Sequence, residues 1–583
     1  MRKRFLQTAT LLLSAGWLFL SLDLLWPTLF PLEKAIPTAK APLNGGVNYL
    51  IIAPEAFANS AQAWAAYRQA DGYQTRVILL RPEETDAAEI GHRIRETYYD
   101  SGKPYPFYVL LLGSPYPDTT AENYLPPHAY PVSETIAQAY GYQAILGDSG
   151  YAFDEQRNEW LPIAIGRIPF DHDLLIGLAL TKTQNYENGQ ENGISALRVQ
   201  LTASDANWGD RFGVFAESMF RLFVAHFIDP TVQFSVLYGF PKSAYSLPLE
   251  QYPTMINESL GNTPLWWTYV GHGGDWLGPA TAPDGQMATM YRMQDVNAMP
   301  DVSRTIATFV ACTVAGYDHP SFSHFLILLP KGPVATFASS TYSFDTPNTF
   351  LQRDLMNLML NEQIETIGEW TRLAKFGYQY PAFDRSLFVW FLHKQLDKIY
   401  ARLIRSDCEA DQVFTEEDIY QHQLYGYNLF GDPALKIRHP VRTMRLEAFP
   451  LLLPGKTSIT FRGTSQLSED TSLLVWVRPY PGTQQPKRDA TNPLQSYREA
   501  NQAALTAMLT QVDSSGAFSG TIHLPKMKQG KYILQAASLG QTTFTGYTTF
   551  YVGLAWLEII LDERLWWVLI PPISLFVYQK AVQ

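Results

Sequence analysis

About nine short apolar runs, many of them β-branched, constrain the fold of this 583-residue chain more than any other feature. They lie at residues 49–52, 76–80, 108–112, 163–165, 199–201, 234–237, 265–270, 305–310 and 334–337, with helical stretches such as 60–69 and 87–99 between them. A strand that stays apolar without alternating is covered on both faces, and strands separated by helices pair in parallel. Nine exceed one small sheet. The expected fold class is therefore α/β, with two abutting doubly wound subdomains at residues 46–197 and 198–440. After Pro440 the texture changes to short alternating stretches (458–461, 472–477, 520–524, 531–536) separated by turn residues. Short strands without intervening helices predict a β-sandwich over 441–553.

The two ends of the chain read differently. Met1-Arg2-Lys3-Arg4 precedes an apolar run over 5–22 that stops at Asp23. A basic cluster against an apolar run of nearly 20 residues is the pattern of an export signal, and the charge would stay cytoplasmic. The sole nearby Ala-X-Ala sequence is Ala39-Lys40-Ala41, followed by Pro42. Residues 1–42 are thus read as an uncleaved signal anchor in preference to a removed signal peptide, with the bulk of the chain in the cell envelope or outside the cell. Residues 554–583 hold a shorter apolar stretch interrupted by Pro571-Pro572, which suits either a second membrane contact or a packed tail.

Composition excludes several classes. With 44 basic and 55 acidic side chains and a net charge of −11, the chain lacks the basic footprint of a nucleic-acid binder. Two cysteines, Cys312 and Cys408, rule out a disulfide scaffold or a Cys-rich metal site.

Ligands of open α/β sheets bind beyond the carboxyl ends of strands. Two predicted strands run there into reactive residues, Gly271-His272-Gly273-Gly274-Asp275-Trp276 and Ala311-Cys312-Thr313-Val314-Ala315-Gly316. A histidine between glycines has an exposed ring on a close-approach backbone. Paired with a cysteine at a neighbouring strand end, it suits a nucleophile and its base. A metal hydrolase built on His272, Asp275, Asp318 and His319, or a catalytically silent binding module of the cell envelope, are the alternatives.

These two segments, with Ile165-Gly166-Arg167, the stretch 332–340 and Leu429-Phe430-Gly431-Asp432-Pro433-Ala434-Leu435, resemble the gingipain family of cysteine peptidases, peptidase family C25, over roughly residues 48–440. The resemblance implies a caspase-like fold followed by an immunoglobulin-like sandwich, and an exported endopeptidase acting on protein or peptide substrates through a thioester. It implies Cys312 as nucleophile, His272 as proton carrier, and the backbone N–H groups of Gly273 and Cys312 as oxyanion hole. Asp205, in Thr202-Ala203-Ser204-Asp205, matches the acid that orients the histidine. Gly213 stands where the arginine-specific members keep an aspartate, so arginine selectivity is not implied. No cofactor is required, and a structural calcium ion is compatible with the chain but not identifiable from its sequence. An uncleaved anchor predicts that the mature chain retains Met1 and stays with membranes after a high-salt wash; a soluble product beginning near Pro42 refutes it.

Overall fold

The computed structural model describes residues 39–43, 45–189, 193–376, 414–449, 452–453, 457–483, 486–540 and 542–552. The apolar run 5–22 read as an anchor, Cys408 and the tail 554–583 lie outside the described residues. Among the described residues no helix is long and apolar enough to cross a membrane. Lys40, within the Ala-X-Ala sequence, exchanges two backbone hydrogen bonds of 2.9 Å with Tyr105.

All nine apolar runs become strands of one sheet. They are β1 (Tyr49–Pro54), β2 (Thr75–Leu80), β3 (Phe107–Leu112), β4 (Ile163–Ile168), β5 (Arg198–Ala203), β6 (Gln233–Tyr238), β7 (Trp266–Val270), β8 (Ile306–Val310) and β9 (Ala335–Ser339). A tenth, β10 (Tyr427–Phe430), completes the order β6-β5-β7-β8-β9-β10-β4-β3-β1-β2. Nine strands are expected to exceed one small sheet and to form two abutting doubly wound subdomains; instead one mixed sheet runs through both halves. The joint is β10, antiparallel to β9 and parallel to β4 at the single pair Phe430 and Arg167. Its four residues, Tyr-Asn-Leu-Phe, are too few and too polar to stand out as an apolar run.

The runs are continuous because both faces are covered. On β7, Trp266 packs beneath helices Asp345–Leu360 and Ile367–Phe376, where it meets Trp370 edge-on at 5.4 Å. Its neighbour Trp267 faces the opposite core with Trp64, Ile176 and Phe322, from helices Ala58–Ala70, Asp173–Asn188 and Phe322–Leu328. Alternate side chains thus reach separate cores, as the pleat requires.

Beyond Pro440, a three-stranded and a five-stranded sheet share one core, with Phe461 and Ile522 from the first meeting Val475, Leu534 and Phe550 from the second. This unit covers the edge strand β6. Asn501 accepts from the Val236 N–H at 2.6 Å and donates to the Val236 carbonyl at 3.0 Å, so its amide takes the place of a neighbouring strand. At Val236 the edge is thus not free to pair with another chain.

His324 sits at the centre of the joint. It is buried against Phe430 at 4.1 Å, and its Nδ1 meets the Tyr116 hydroxyl at 2.7 Å. Burial, then the charges of Arg167 and His319, push its pKa down to about 3. The unfolded chain therefore binds more protons between about pH 3 and the ordinary histidine value, so stability falls as pH drops through that window. Urea titrations at pH 7.5 and 5 should show a smaller pH-dependent loss in His324→Gln than in the parent; an equal loss would contradict this assignment.

Candidate active site

Three strands end level and place the candidate residues on one rim. Val270 at the end of β7 is in register with Ala203 of β5 and with Val310 of β8. Ser204, Gly271 and Ala311 therefore follow side by side. The Ser204 N–H donates to the Val270 carbonyl at 3.0 Å, and the Gly271 N–H to that of Val310 at 3.1 Å. Gly271 has φ +144°, and a Cβ there would lie 1.9 Å from Ser204 Oγ, which only glycine avoids.

This close approach fixes His272 by its backbone. Its N–H donates to Ser204 Oγ at 3.1 Å, and its carbonyl accepts from the Tyr269 hydroxyl and, at 3.4 Å, from the Gly278 N–H. The ring itself is exposed, as its flanking glycines suggest.

Gly273 brings the two loops into contact. A Cβ on it would lie 2.6 Å from Val314 Cγ2, 2.8 Å from Ala311 Cβ and 3.0 Å from the Cys312 carbonyl oxygen. Gly273 also forms an antiparallel bridge with Leu277. The flanking bonds, Gly274 N–H to the Trp276 carbonyl and Gly278 N–H to that of His272, make it a non-hydrogen-bonded pair. The Gly273 N–H is consequently not spent on that bridge. Among the described residues no backbone carbonyl accepts from the Cys312 N–H either, whereas Thr313 and Ala315 donate to Thr341 and Ser339.

Cys312 is half-buried, and Thr313 after it has φ +51°. A β-branched residue in that region costs about 1–3 kcal/mol, a strain that marks functional turns. The Cys312 sulfur lies against Ser343, 3.3 Å from its N and 3.5 Å from both its carbonyl oxygen and Oγ. Ser343 lies just beyond the end of β9. The rule that directs attention to strand ends would have found it, because β9 is the next strand of this rim after β8.

Asp205 is buried beside Ser204. Its carboxylate accepts from the Asn207 N–H at 3.0 Å, and its own N–H donates to the Pro279 carbonyl at 2.8 Å. Among the described residues no hydrogen bond joins it to the His272 ring. Asp345, at the start of helix Asp345–Leu360, is an acid that feels the His272 charge. Crowding by protein raises its carboxyl pKa and the His272 charge opposes the rise; the residue stays open to solvent, which screens both effects. Nothing in its sequence surroundings marks Asp345. Gly213 lies in helix Asp210–Phe227 against the Phe240 ring, which a Cβ would meet at 2.5 Å. His319 forms exposed contacts with Asp275 at 3.2 Å and Asp318 at 2.9 Å. Among the described residues no three or more His, Cys, Asp or Glu side chains group to hold a metal ion.

The profile of peptidase family C25 matches residues 43–438. The chain belongs to that family. It is a cysteine-type peptidase, a hydrolase, which sets aside the metal hydrolase and the silent binding module. Among solved structures, this C25 peptidase is similar to the Arg-specific cysteine proteinase gingipain R, with 16% identity over 89% of this chain and 100% of the other, at a TM-score of 0.47. The complex of the pro- and mature domains of RgpB from Porphyromonas gingivalis aligns at 14% identity over 87% and 100%, TM-score 0.46. Dimeric latent PorU from Porphyromonas gingivalis aligns at 12% identity over 88% of this chain and 44% of the other, TM-score 0.32. No curated protein matches the sequence.

Gly273→Ala forces the histidine and cysteine loops apart. Hydrolysis of labelled casein should fall at least about a hundredfold, because misplacement by about 1 Å has that effect. Circular dichroism should be unchanged, and near-parental turnover would show that the contact is dispensable.

Proposed function

We propose that this C25 peptidase cuts peptide bonds with Cys312 as nucleophile and His272 as proton carrier. The contact at Gly273 carries the reading, since it holds the backbone following His272 against the backbone around Cys312. As the sulfur attacks the scissile carbonyl, the thiol proton passes to His272. The carbonyl oxygen becomes an oxyanion, received by the N–H groups of Gly273 and Cys312, which are preorganised where charge develops. Collapse breaks the C–N bond and His272 protonates the departing amine, leaving a thioester on Cys312. Water then attacks with His272 as base, the acid product leaves, and the thiol is restored.

Asp205, in this reading, acts on His272 through its neighbour. By fixing the 204–207 turn it holds Ser204, whose hydroxyl accepts from the His272 N–H. Asp345, which feels the His272 charge, is the carboxylate that stabilises the charged imidazole in this reading. The absence of an acid at Gly213, and the Phe240 ring packed against it, support cleavage without arginine selectivity. The basic and apolar opening segment supports action outside the cytoplasm. The paired sheets beyond Pro440, with their common core, support an immunoglobulin-like module there.

Cys312→Ala and His272→Ala should each abolish casein hydrolysis, with the double variant scarcely worse because the pair acts as one unit. Asp205→Asn and Asp345→Asn should each lower it by a smaller factor, and Cys408→Ala should leave it unchanged. Iodoacetamide should label Cys312 faster than Cys408 in the folded protein. Activity that survives Cys312→Ala would overturn the assignment.

A further inference from the structure

The Cys312 sulfur touches one residue in three ways. The Ser343 N–H donates to it at 3.3 Å, while the Ser343 carbonyl oxygen and Oγ each lie 3.5 Å away. Behind Ser343 stands a short relay. Asn348 Nδ2 donates to Ser343 Oγ at 2.8 Å, and Asn348 Oδ1 accepts from the Tyr427 hydroxyl at 2.6 Å. Tyr427 is fully buried at the start of β10, the strand that joins the two halves of the sheet.

We propose that Ser343 is a further catalytic residue, which holds the Cys312 sulfur in both protonation states and is itself set by the positioning residues Asn348 and Tyr427. The proposal rests on the reading of Cys312 as nucleophile. In the resting thiol, the S–H donates to the Ser343 carbonyl. When the proton leaves for His272, that carbonyl faces a negative sulfur and no longer helps. The two Ser343 donors, N–H and Oγ–H, then carry the interaction, and hydrogen bonds to an ion are roughly twice as strong as neutral ones.

The relay decides where the Oγ hydrogen points. A hydroxyl has one hydrogen and two acceptor sites. Because Asn348 Nδ2 donates to the oxygen, the hydrogen of Ser343 points away from Asn348 and can turn to the sulfur 3.5 Å away. With Asn348 Oδ1 taking the Tyr427 hydrogen, its Nδ2 is the atom turned to Ser343 Oγ. Burial raises the Tyr427 phenol far above its ordinary value, so it remains protonated and donating. The cycle balances: the donors strengthen as the thiolate forms, relax when the sulfur is acylated, and strengthen again when water releases the sulfur from the thioester. They are distinct from the Gly273 and Cys312 N–H groups, which face the substrate oxygen.

The experiment compares full-length parent, Ser343→Ala, Ser343→Thr, Asn348→Leu and Tyr427→Phe. It reads casein hydrolysis and the pH dependence of iodoacetamide alkylation at Cys312. Ser343→Ala, which keeps the N–H and loses the hydroxyl, should slow hydrolysis about tenfold and move the alkylation midpoint up by about one pH unit. Ser343→Thr should restore both within about twofold. Asn348→Leu and Tyr427→Phe should shift the midpoint in the same direction by less, since the hydroxyl stays but loses its orientation. A purely structural role would lower the melting temperature and leave the midpoint unmoved. Should Ser343→Ala fail to fold, the shift in Tyr427→Phe decides. A parental pH profile in the folded variants overturns the proposal, while activity in Cys312→Ala overturns the nucleophile assignment on which it rests.

Discussion

A guanidinium with no access to water must find an acceptor for each of its five N–H groups, and Arg167 finds them all. It donates to both oxygens of Asp148 at 2.8 and 2.6 Å, to the carbonyls of Gly113 and Leu125 at 3.0 and 2.8 Å, and to that of Pro126 at 3.0 Å. Breaking such a buried pair from one side costs about 3–5 kcal/mol, because the remaining charge stays uncompensated. Each partner is therefore fixed relative to the others. Asp148 also accepts from the Tyr317 hydroxyl at 2.7 Å, and Tyr317 lies five residues beyond Cys312. The loop that carries Cys312 is thus tied to a charge on the opposite side of the joint strand. The Tyr317 ring also lies over Arg167 of β4, at 5.9 Å, so the strained turn at Thr313 is held from that side.

A second charge cluster fastens the same joint. Asp432, just after β10, accepts from Tyr49 at 2.9 Å and from Arg68 Nε at 2.8 Å, and Arg68 reaches Glu187 as well. Backbone contact completes it: a Cβ on Gly166 would lie 2.3 Å from the Gly431 carbonyl oxygen, and Gly431 itself has φ +141°. Two strands that share only one residue pair are held by close glycine packing and two buried ion clusters. This is why one sheet results where the apolar runs alone would allow two.

The same residues explain what the sequence could and could not reveal. Apolar runs were legible because both faces of the sheet are covered, and Ile165-Gly166-Arg167 and Gly431-Asp432-Pro433 were conspicuous as motifs. Their work, however, is to hold the joint, which no spacing discloses. Gly271 and Gly273 stood out beside a histidine, and the reason is steric exclusion by Ser204 and by the Cys312 loop. Asp205 shows the converse. Its Asp-Ala-Asn setting is a local turn signal, and the carboxylate is engaged within that turn. Asp345 and Ser343 escaped attention because the segment after β9 shows no reactive residue between glycines, although β9 ends beside β8 on the same rim.

Most of the proposed machinery acts through backbone: the clamps on His272, the donors of Gly273 and Cys312, and one of the Ser343 donors. These backbone groups are placed by strand register and by a few side chains, Ser204 and Tyr269 at His272 among them. On the β5 side, Gly213 lets helix Asp210–Phe227 close onto Phe240, and a larger residue there would have to displace that ring. On the β9 side, Tyr342 stacks on Tyr140 at 4.5 Å and remains partly open to solvent beside Ser343. The fold thus separates two demands. Chemistry is fixed by strand register and buried charge at the joint, and the surfaces that a peptide would meet are built from side chains that neither of these constrains.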